Sequence, residues 1–272
     1  MQNRYVGDIG DYVKLAILRA LSPDRRLGVV WWLHQDEHHN SDGGHREYLE
    51  RAEQWRHLDP DLFEALSKIE ARKERDVHAL ENPEILGSAV FASDPVPCEL
   101  QPYSLRPERW RIWMNGTKEK LRECDLIFVD PDNGIAPEGL RLTLRLAGKY
   151  ASVEQLQSLG EGGRAMVVYH HQGRFRGGHD SEICSLAGRL ARGGFNVSGA
   201  LRAKPWSPRV FLILNADNRL CKRVKRFAEL WGSSVSWHPA DDIQARTGFS
   251  SLTSRKITQV GKHLRAGAHG HG

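Results

Sequence analysis

Two carboxylates come directly after residues 126–129, an apolar run of strand length. Asp130 would emerge at the carboxyl end of a buried strand, and Pro131 would stiffen the loop that leads on to Asp132. A Pro-Asp-Asn-Gly turn accounts for the loop, but it does not require a carboxylate at the end of an apolar strand. We therefore predict that Asp130 and Asp132 are catalytic residues.

A second group of charged residues lies beside a predicted helix at about residues 11–21. Gly7, Asp8, Asp11 and Lys14 precede or open this helix. Glycine lets a backbone approach a ligand closely, and the free N–H groups at a helix N-terminus attract anions. A capped turn, with Asp11 as the N-cap, is the alternative. Because capping does not require the Asp8 and Lys14 charges, we predict that the four residues contact a cofactor.

The polar segment 34–45 follows the first apolar run and holds four His, two Asp and one Glu. Ligands of open α/β sheets bind beyond the carboxyl ends of strands, so we expect Asp42 and Gly43 to contact a cofactor. Imidazole and carboxylate groups also suit Zn, Mn or Fe, which makes His34, Asp36 and Asp42 candidate metal ligands. An exposed loop with an Asp-Gly-Gly turn is the alternative.

Two adjacent histidines end another predicted strand. His170 and His171 are followed by the cationic residues Arg174 and Arg176. Histidine titrates near neutrality and can act as a base, whereas arginine suits phosphate groups. We predict a catalytic role for His170 and substrate contacts for the other three residues.

A basic loop at residues 202–209 joins two further predicted strands. The loop is too short and too rich in proline to hold a crossover helix, so the two strands must be antiparallel. Lys204 and Trp206 combine a cation with an aromatic ring, as in many sites that bind single-stranded nucleic acid. We predict that both residues bind substrate, and a plain hairpin tip is the alternative.

Apolar runs of strand length must position these side chains. They lie at residues 27–33, 89–92, 126–129, 165–169, 195–201 and 210–214. Continuous apolar runs favour strands buried on both faces, and helical patterns between them favour parallel crossover units. We predict a doubly wound, mostly parallel α/β sheet with helices on both faces and a C-terminal antiparallel hairpin. One domain would span residues 1–266, with a helical insertion at about 46–86 and a mobile tail at 267–272.

The composition is typical of a cytoplasmic globular protein. The 272 residues are 40% hydrophobic and 27% charged, with a mean hydropathy of −0.53. The longest apolar run is far shorter than the roughly 20 residues of a membrane span, so we expect no membrane contact. The net charge of +5 favours an anionic partner such as nucleic acid. The four cysteines are widely spaced, which predicts reduced thiols.

The order of these features resembles the class I S-adenosylmethionine-dependent methyltransferases, and among them the 23S rRNA adenine methyltransferase family. Gly7, Asp11 and Lys14 match that family's N-terminal Gly-Asn-His-Ala-Asp-x-x-Lys motif. Asp130 and the proline after it match half of its Asp-Pro-Pro-Tyr motif. The resemblance implies a Rossmann-like methyltransferase topology, S-adenosylmethionine as cofactor and nucleic acid as substrate, with Asp130 at the transfer site. Asn133 stands in place of the stacking Tyr and would contact the substrate.

Departures from the family motifs favour a second hypothesis, a metal-dependent nuclease or other phosphoesterase. The segment 34–45 replaces the family's glycine-rich turn, and an acid replaces the second proline of Asp-Pro-Pro-Tyr. Acids at strand ends can hold a divalent ion that activates water. In this hypothesis Mg or Mn would be bound by His34, Asp36, Asp42, Asp130 and Asp132.

A third hypothesis is a non-catalytic nucleic-acid-binding protein on the same fold, in which the acids serve as caps and turns. The chain is also similar to uncharacterised bacterial and phage proteins that share its Gly-Asp-x-Gly-Asp and Asp-Pro-Asp-x-Gly motifs. That likeness implies no particular activity.

Overall fold

The computed structural model describes residues 1–37 and 44–247 of the chain. Asp42, Gly43, the tail at 267–272 and a further helix predicted at 251–264 lie outside these residues. Helices α1 to α9 span Ile9–Leu21, Ala52–Trp55, Pro60–Ala71, Pro83–Leu86, Arg106–Lys120, Val153–Leu159, Gly178–Arg192, Asn218–Trp231 and Ala240–Thr247. Strands β1 to β9 span Leu27–Val30, Val90–Ala92, Leu126–Val129, Gly134–Ile135, Tyr150–Ala151, Ala165–His171, Val197–Ala203, Arg209–Leu214 and Val235–Pro239.

Seven strands form one sheet in the order β2-β1-β3-β6-β8-β7-β9, and β4 pairs with β5 separately. Strands β1, β2, β3 and β6 are parallel to one another. Strand β8 is antiparallel to both of its neighbours, β6 and β7, and β9 is antiparallel to β7. The fold is therefore α/β with a mostly parallel central sheet, and the predicted antiparallel hairpin is confirmed.

The two faces of the sheet pack against different helices. Leu126 and Phe128 of β3 belong to one hydrophobic cluster, together with side chains of α1, α3 and α8. Ile127 and Val129 belong to a second cluster, together with side chains of α5, α6 and α7. Alternate residues of a strand point to opposite faces, so β3 is buried on both sides. This double burial explains why the strand sequences are continuous apolar runs.

The strand order reverses at β1, because β2 lies on one side of it and β3 on the other. A reversal of this kind leaves a crevice at the carboxyl ends of the strands, where ligands of open α/β folds bind. The loops that follow β1 and β3 begin at this edge. The topology therefore directs the acidic residues after β3 towards the expected ligand crevice.

Helix α1 begins earlier than the sequence predicts, because Asp8 rather than Asp11 is its N-cap. The Asp8 side chain accepts a hydrogen bond from the Asp11 backbone N–H at 2.9 Å. Asp11 lies in the first turn, where its side chain accepts from the Gly7 N–H at 3.0 Å. The helix is buried on nearly all sides, so Asp11 and Lys14 are inside the protein. Burial of charged groups is costly unless they are paired.

The edge strand β9 was not predicted from the sequence. Its residues are only partly buried after Val235, so the segment lacks a continuous apolar run. It pairs with β7 across Gly199, where an added Cβ would lie 2.1 Å from the Trp237 ring. The glycine therefore permits the close approach of this ring to the neighbouring strand.

The segment between β1 and β2 carries the short helices α2 and α4 and the longer α3. These helices pack beside α1 and contribute Leu62, Leu66 and Leu86 to its hydrophobic cluster. Within the described residues, no helix has the length and apolar character needed to cross a membrane.

Candidate functional site

A cavity of about 330 Å³ lies at the carboxyl ends of β3 and β6, beside the start of α1. Its lining includes the predicted residues Asp8, Asp11, Lys14, Asp130, Asp132, Asn133 and His171. A wider cleft of about 580 Å³ lies near the amino end of β1 and is lined by none of the predicted residues. Because ligands of open α/β sheets bind at the carboxyl edge, the smaller cavity is the candidate site.

Lys14 joins two carboxylates at the floor of the cavity. Its ammonium group lies 2.9 Å from Asp11 Oδ1 and 2.7 Å from Asp130 Oδ2, and all three side chains are buried. Burial alone would lower the pKa of Lys14, but Asp11 and Asp130 outweigh it and keep the pKa above its usual value. Burial raises the pKa of Asp130 and outweighs the opposing effect of the Lys14 and Met1 ammonium groups. The sequence motif around Lys14 and the motif after β3 therefore form one buried ionic cluster.

Aromatic rings surround the same ammonium group. Lys14 Nζ lies 5.8 Å from the centroid of the Trp31 ring and 5.7 Å from that of Tyr169. Cations are attracted to aromatic faces at such distances. Tyr169 also lines the cavity, and burial raises the pKa of its phenol to about 12, so the hydroxyl stays neutral.

Arg209 lines the cavity beside Asp8. Its guanidinium donates to the carbonyl oxygens of Pro205 at 3.0 Å and Ser207 at 3.1 Å. A Cβ added at Gly10 would lie 2.9 Å from Asp8 Oδ1 and 3.0 Å from Arg209 Nε. Glycine at this helix position therefore leaves the space in which the Asp8 carboxylate and the guanidinium come close together.

Asp132 is ionised at the edge of the cavity. It accepts a hydrogen bond from Gln2 Nε2 at 2.7 Å, and Lys149 Nζ lies 3.5 Å away. Burial would raise its pKa, but the Met1 ammonium, the Gln2 amide and Lys149 lower the pKa below the usual value. Lys149 also pairs with Glu37 of the loop after β1. Asp132 thus faces the cavity while its neighbours hold it in place.

His170 and His171 occupy opposite sides of β6. His170 Nδ1 accepts a hydrogen bond from the Ile135 N–H at 3.0 Å, and Nε2 lies 3.4 Å from Glu182. It is absent from the cavity lining, so its contacts orient the loop after β3 instead. His171 does line the cavity with a partly solvent-exposed ring, and partial desolvation together with nearby Arg209 lowers its pKa.

The predicted metal ligands do not gather around one point. Asp36 accepts a hydrogen bond from the Arg4 backbone N–H at 3.2 Å, and Asp130 is bound to an ammonium group. Among residues 1–37 and 44–247, the one group of three possible ligands is His34, Cys98 and Glu99. The structure therefore does not bring His34, Asp36, Asp130 and Asp132 together as one metal site.

The predicted substrate-binding cations lie on the surface. Arg174, Arg176 and Lys204 are exposed in loops near the carboxyl edge. Trp206 is 40% exposed and adopts a φ of 59°, a left-handed conformation that is unusual for a bulky residue. Its ring centroid lies 6.4 Å from that of His45, which lines the cavity. Trp206 therefore stands next to the cavity wall.

Three residues that line the cavity were not predicted as site residues: Tyr169, His45 and Arg209, of which Arg209 was considered only as part of the basic loop at 202–209. All three carry a readable signal. Side chains alternate along β6, so Tyr169 and His171 lie on one face of the strand and His170 lies on the other. Arg209 is the first residue of β8, which pairs with His171 at the carboxyl end of β6. His45 is the last residue of the polar segment 34–45, which the sequence predicts to lie near a ligand.

Comparison of the chain with models of protein families, with curated proteins and with solved structures finds no match. The chemistry of the site must therefore be argued from its own residues. Four carboxylates line the cavity, from Asp8, Asp11, Asp130 and Asp132, against three cationic groups, Lys14, Arg209 and the Met1 ammonium. This excess of acids favours a ligand that carries positive charge.

Proposed function

We propose that the cavity binds S-adenosylmethionine and that the protein methylates an amino group of a nucleic-acid base. The observation that carries the proposal is the acidic cavity at the carboxyl edge, closed below by the Asp11–Lys14–Asp130 cluster. This cofactor has a sulfonium, an ammonium and a single carboxylate, so its net charge is positive. Asp8 and Asp132 would face its cationic groups, and Arg209 would face its carboxylate.

The arrangement of strands supports the same proposal. In the family that the motifs resemble, an Asp-Pro sequence follows a central strand and an antiparallel hairpin ends the sheet. Here Asp130 follows β3, which lies in the middle of the sheet, and β8 is inserted between β6 and β7. The helix with the Gly-x-x-x-Asp-x-x-Lys pattern contacts Asp130 directly through Lys14. The two matched motifs would therefore act as parts of one site.

When bound, the cofactor would supply the methyl group; its sulfur would keep the electron pair of the broken S–C bond, and the proton released by the amine would pass to water. Asp130 would accept a hydrogen bond from that amine and orient its lone pair. Lys14 holds one oxygen of this carboxylate at 2.7 Å, which fixes its direction. Tyr169 would provide the aromatic surface for the base, in place of the motif tyrosine that is Asn133 here.

Exposed groups around the cavity suit a nucleic-acid partner. Arg174, Arg176 and Lys204 would contact phosphates, and Trp206 would stack on an unpaired base. Phosphate contacts of this kind make binding dependent on salt. The net charge of +5 acts in the same direction.

Transfer of labelled methyl groups from S-adenosylmethionine to single- and double-stranded DNA and RNA tests the proposal. We expect incorporation with the unaltered protein and a loss of at least about a hundredfold in Asp130→Asn. Asp61→Asn, at an exposed position on α3, is the matched control and should keep full activity. Cofactor binding without transfer to any polymer would contradict nucleic acid as the substrate. Absence of both binding and transfer would contradict the whole proposal, and polymer binding in that case would support the non-catalytic hypothesis.

A further inference from the structure

A second cluster of reactive side chains lies outside the acidic cavity, between the loops that follow β1 and β2. Among the described residues, His34, Cys98 and Glu99 place one nitrogen, sulfur or oxygen atom each within 4.8 Å of one another. The His34 and Cys98 side chains are buried, whereas Glu99 is partly exposed. His34 is a metal ligand expected from the sequence, whereas Cys98 and Glu99 belong to no sequence motif.

The hydrogen bonds of His34 leave one ring nitrogen aimed into the cluster. Its Nδ1 lies 2.9 Å from the Gln35 backbone carbonyl, which can only accept, so Nδ1 carries the proton. Its Nε2 is buried and has no hydrogen-bond partner. That atom lies 3.9 Å from Glu99 Oε1. Metal-binding histidines commonly donate their second N–H to a backbone carbonyl in this way.

Adjacent residues of the protein pack closely around the cluster. Cys98 Sγ lies 3.9 Å from Glu99 Oε1. Gly148 closes the other side, because a Cβ added there would lie 2.4 Å from Cys98 Sγ and 3.0 Å from His34 Cδ2. A larger residue at this position would displace the thiol or the imidazole.

We propose that His34, Cys98 and Glu99 bind a zinc ion that ties the loop after β1 to the loop after β2. Imidazole, thiolate and carboxylate are all common zinc ligands, and three protein ligands leave a fourth position for water. Glu99 is partly exposed and provides the path to solvent. Zinc would displace the proton of the Cys98 thiol to solvent and bind the thiolate.

Arg145 competes with the metal for Glu99. Its Nε lies 2.5 Å from Glu99 Oε1, and its side chain is largely exposed. Zinc would therefore displace this guanidinium or bind the second carboxylate oxygen. Removal of the competing cation by Arg145→Ala should strengthen zinc binding.

Cobalt(II) substitution tests the site, because a sulfur-to-cobalt charge-transfer band requires a thiolate ligand. Histidines at 38–45 and 269–271 could bind cobalt, but they contribute no sulfur. We expect the band when equimolar Co²⁺ is added to metal-free full-length protein, and its displacement by Zn²⁺. Cys98→Ser should abolish it, and Cys124→Ser, which removes another buried thiol, should leave it unchanged.

His34→Gln keeps the thiol and provides a second variant should Cys98→Ser not fold. We expect at least about a tenfold weaker zinc affinity in His34→Gln. Zinc should also raise the thermal midpoint of the unaltered protein and have little effect on that of the variant. Absence of the band in the unaltered protein, its persistence in Cys98→Ser, or equal zinc affinity in His34→Gln would each overturn the proposal.

Discussion

The carboxyl-end cavity and the amino-end cleft differ in both size and chemistry. The cleft is the larger, at about 580 Å³ against about 330 Å³. Charged side chains in and beside the cleft, such as Arg25 with Asp125 and Asp217, form ion pairs whose carboxylates are about half exposed. In the cavity, Lys14 and Asp130 form a pair whose side chains are 6% and 2% exposed.

This difference in buried charge is the reason to take the smaller cavity, rather than the larger cleft, as the candidate functional site. Exposed ion pairs form at little cost and contribute little stability. A buried ammonium with two carboxylates loses its hydration, and an apolar core of the same volume would often be as stable. The Asp11–Lys14–Asp130 cluster therefore points to function, whereas the amino-end pairs account only for local surface structure.

The largest expected effect comes from breaking the buried cluster. Lys14→Met leaves two buried carboxylates without their cation, so we expect a loss of about 3–5 kcal/mol in the free energy of unfolding, measured with urea. The matched change Arg25→Met should cost less than about 1 kcal/mol. Unpaired buried carboxylates have raised pKa values, so the Lys14→Met loss should grow as pH rises from about 5 to 8. Equal losses of unfolding free energy in the two variants would contradict the distinction between the buried cluster at the carboxyl end and the exposed ion pairs at the amino end of the strands.

A smaller loss of stability is expected when the close contact between β4 and β6 is disturbed. Gly134 has a φ of 104°, and an added Cβ would lie 2.3 Å from His170 Nδ1. We expect Gly134→Ala to lower the free energy of unfolding, measured with heat or urea, by about 3 kcal/mol. The positive φ is strained for alanine, and the new Cβ would collide with His170. Gly139 also has a positive φ, 78°, but open space around it, so Gly139→Ala should cost only about 1 kcal/mol.

Two glycines within helices allow a further comparison between the cavity and an open part of the surface. Gly116 of α5 has no atom within 4 Å of an added Cβ, so Gly116→Ala should stabilise the protein by about 0.5–1 kcal/mol. Gly10 of α1 faces Asp8 and Arg209 at about 3 Å, so the same change should destabilise by about 1 kcal/mol. Calorimetry of the two variants should give thermal midpoints that move in opposite directions.

The smallest effect concerns the pH dependence of Asp132. Its pKa is lowered in the folded state, so its contribution to stability is present above the unfolded pKa near 3.8 and is lost as pH falls through the folded pKa. Asp132→Asn should therefore be less stable than the unaltered protein at neutral pH, and the difference should shrink below about pH 4. A difference independent of pH in urea unfolding would contradict the ionised state of Asp132.

Much of the fold could be predicted because the strands are covered on both faces. The runs at 126–129 and 210–214 needed no knowledge of their partners to be recognised as buried strands. The start of α1 was predicted wrongly because Asp8 and Asp11 are both acceptable caps, and only the observed hydrogen bond to the Asp11 N–H decides between them. The edge strand β9 was missed because its identity depends on pairing with β7.

The site could be predicted only in part. Asp130 and Lys14 were selected from separate motifs, but their contact at 2.7 Å spans 116 residues of sequence. His170 was predicted as catalytic because a histidine at a strand end has the right chemistry. The face of β6 on which it lies follows only from the alternation of side chains along the strand. Cys98 and Glu99 carried no motif, and tertiary packing alone brings them to His34.

Isothermal titration of S-adenosylmethionine into paired variants tests the central claim most directly. Arg209→Met alters the cavity, and Arg25→Met makes the same change at the amino-end cleft. We predict binding to the unaltered protein, an affinity at least about tenfold weaker in Arg209→Met, and an unchanged affinity in Arg25→Met. Absence of binding to the unaltered protein at millimolar cofactor, or a loss confined to Arg25→Met, would contradict the assignment of the cavity as the cofactor site.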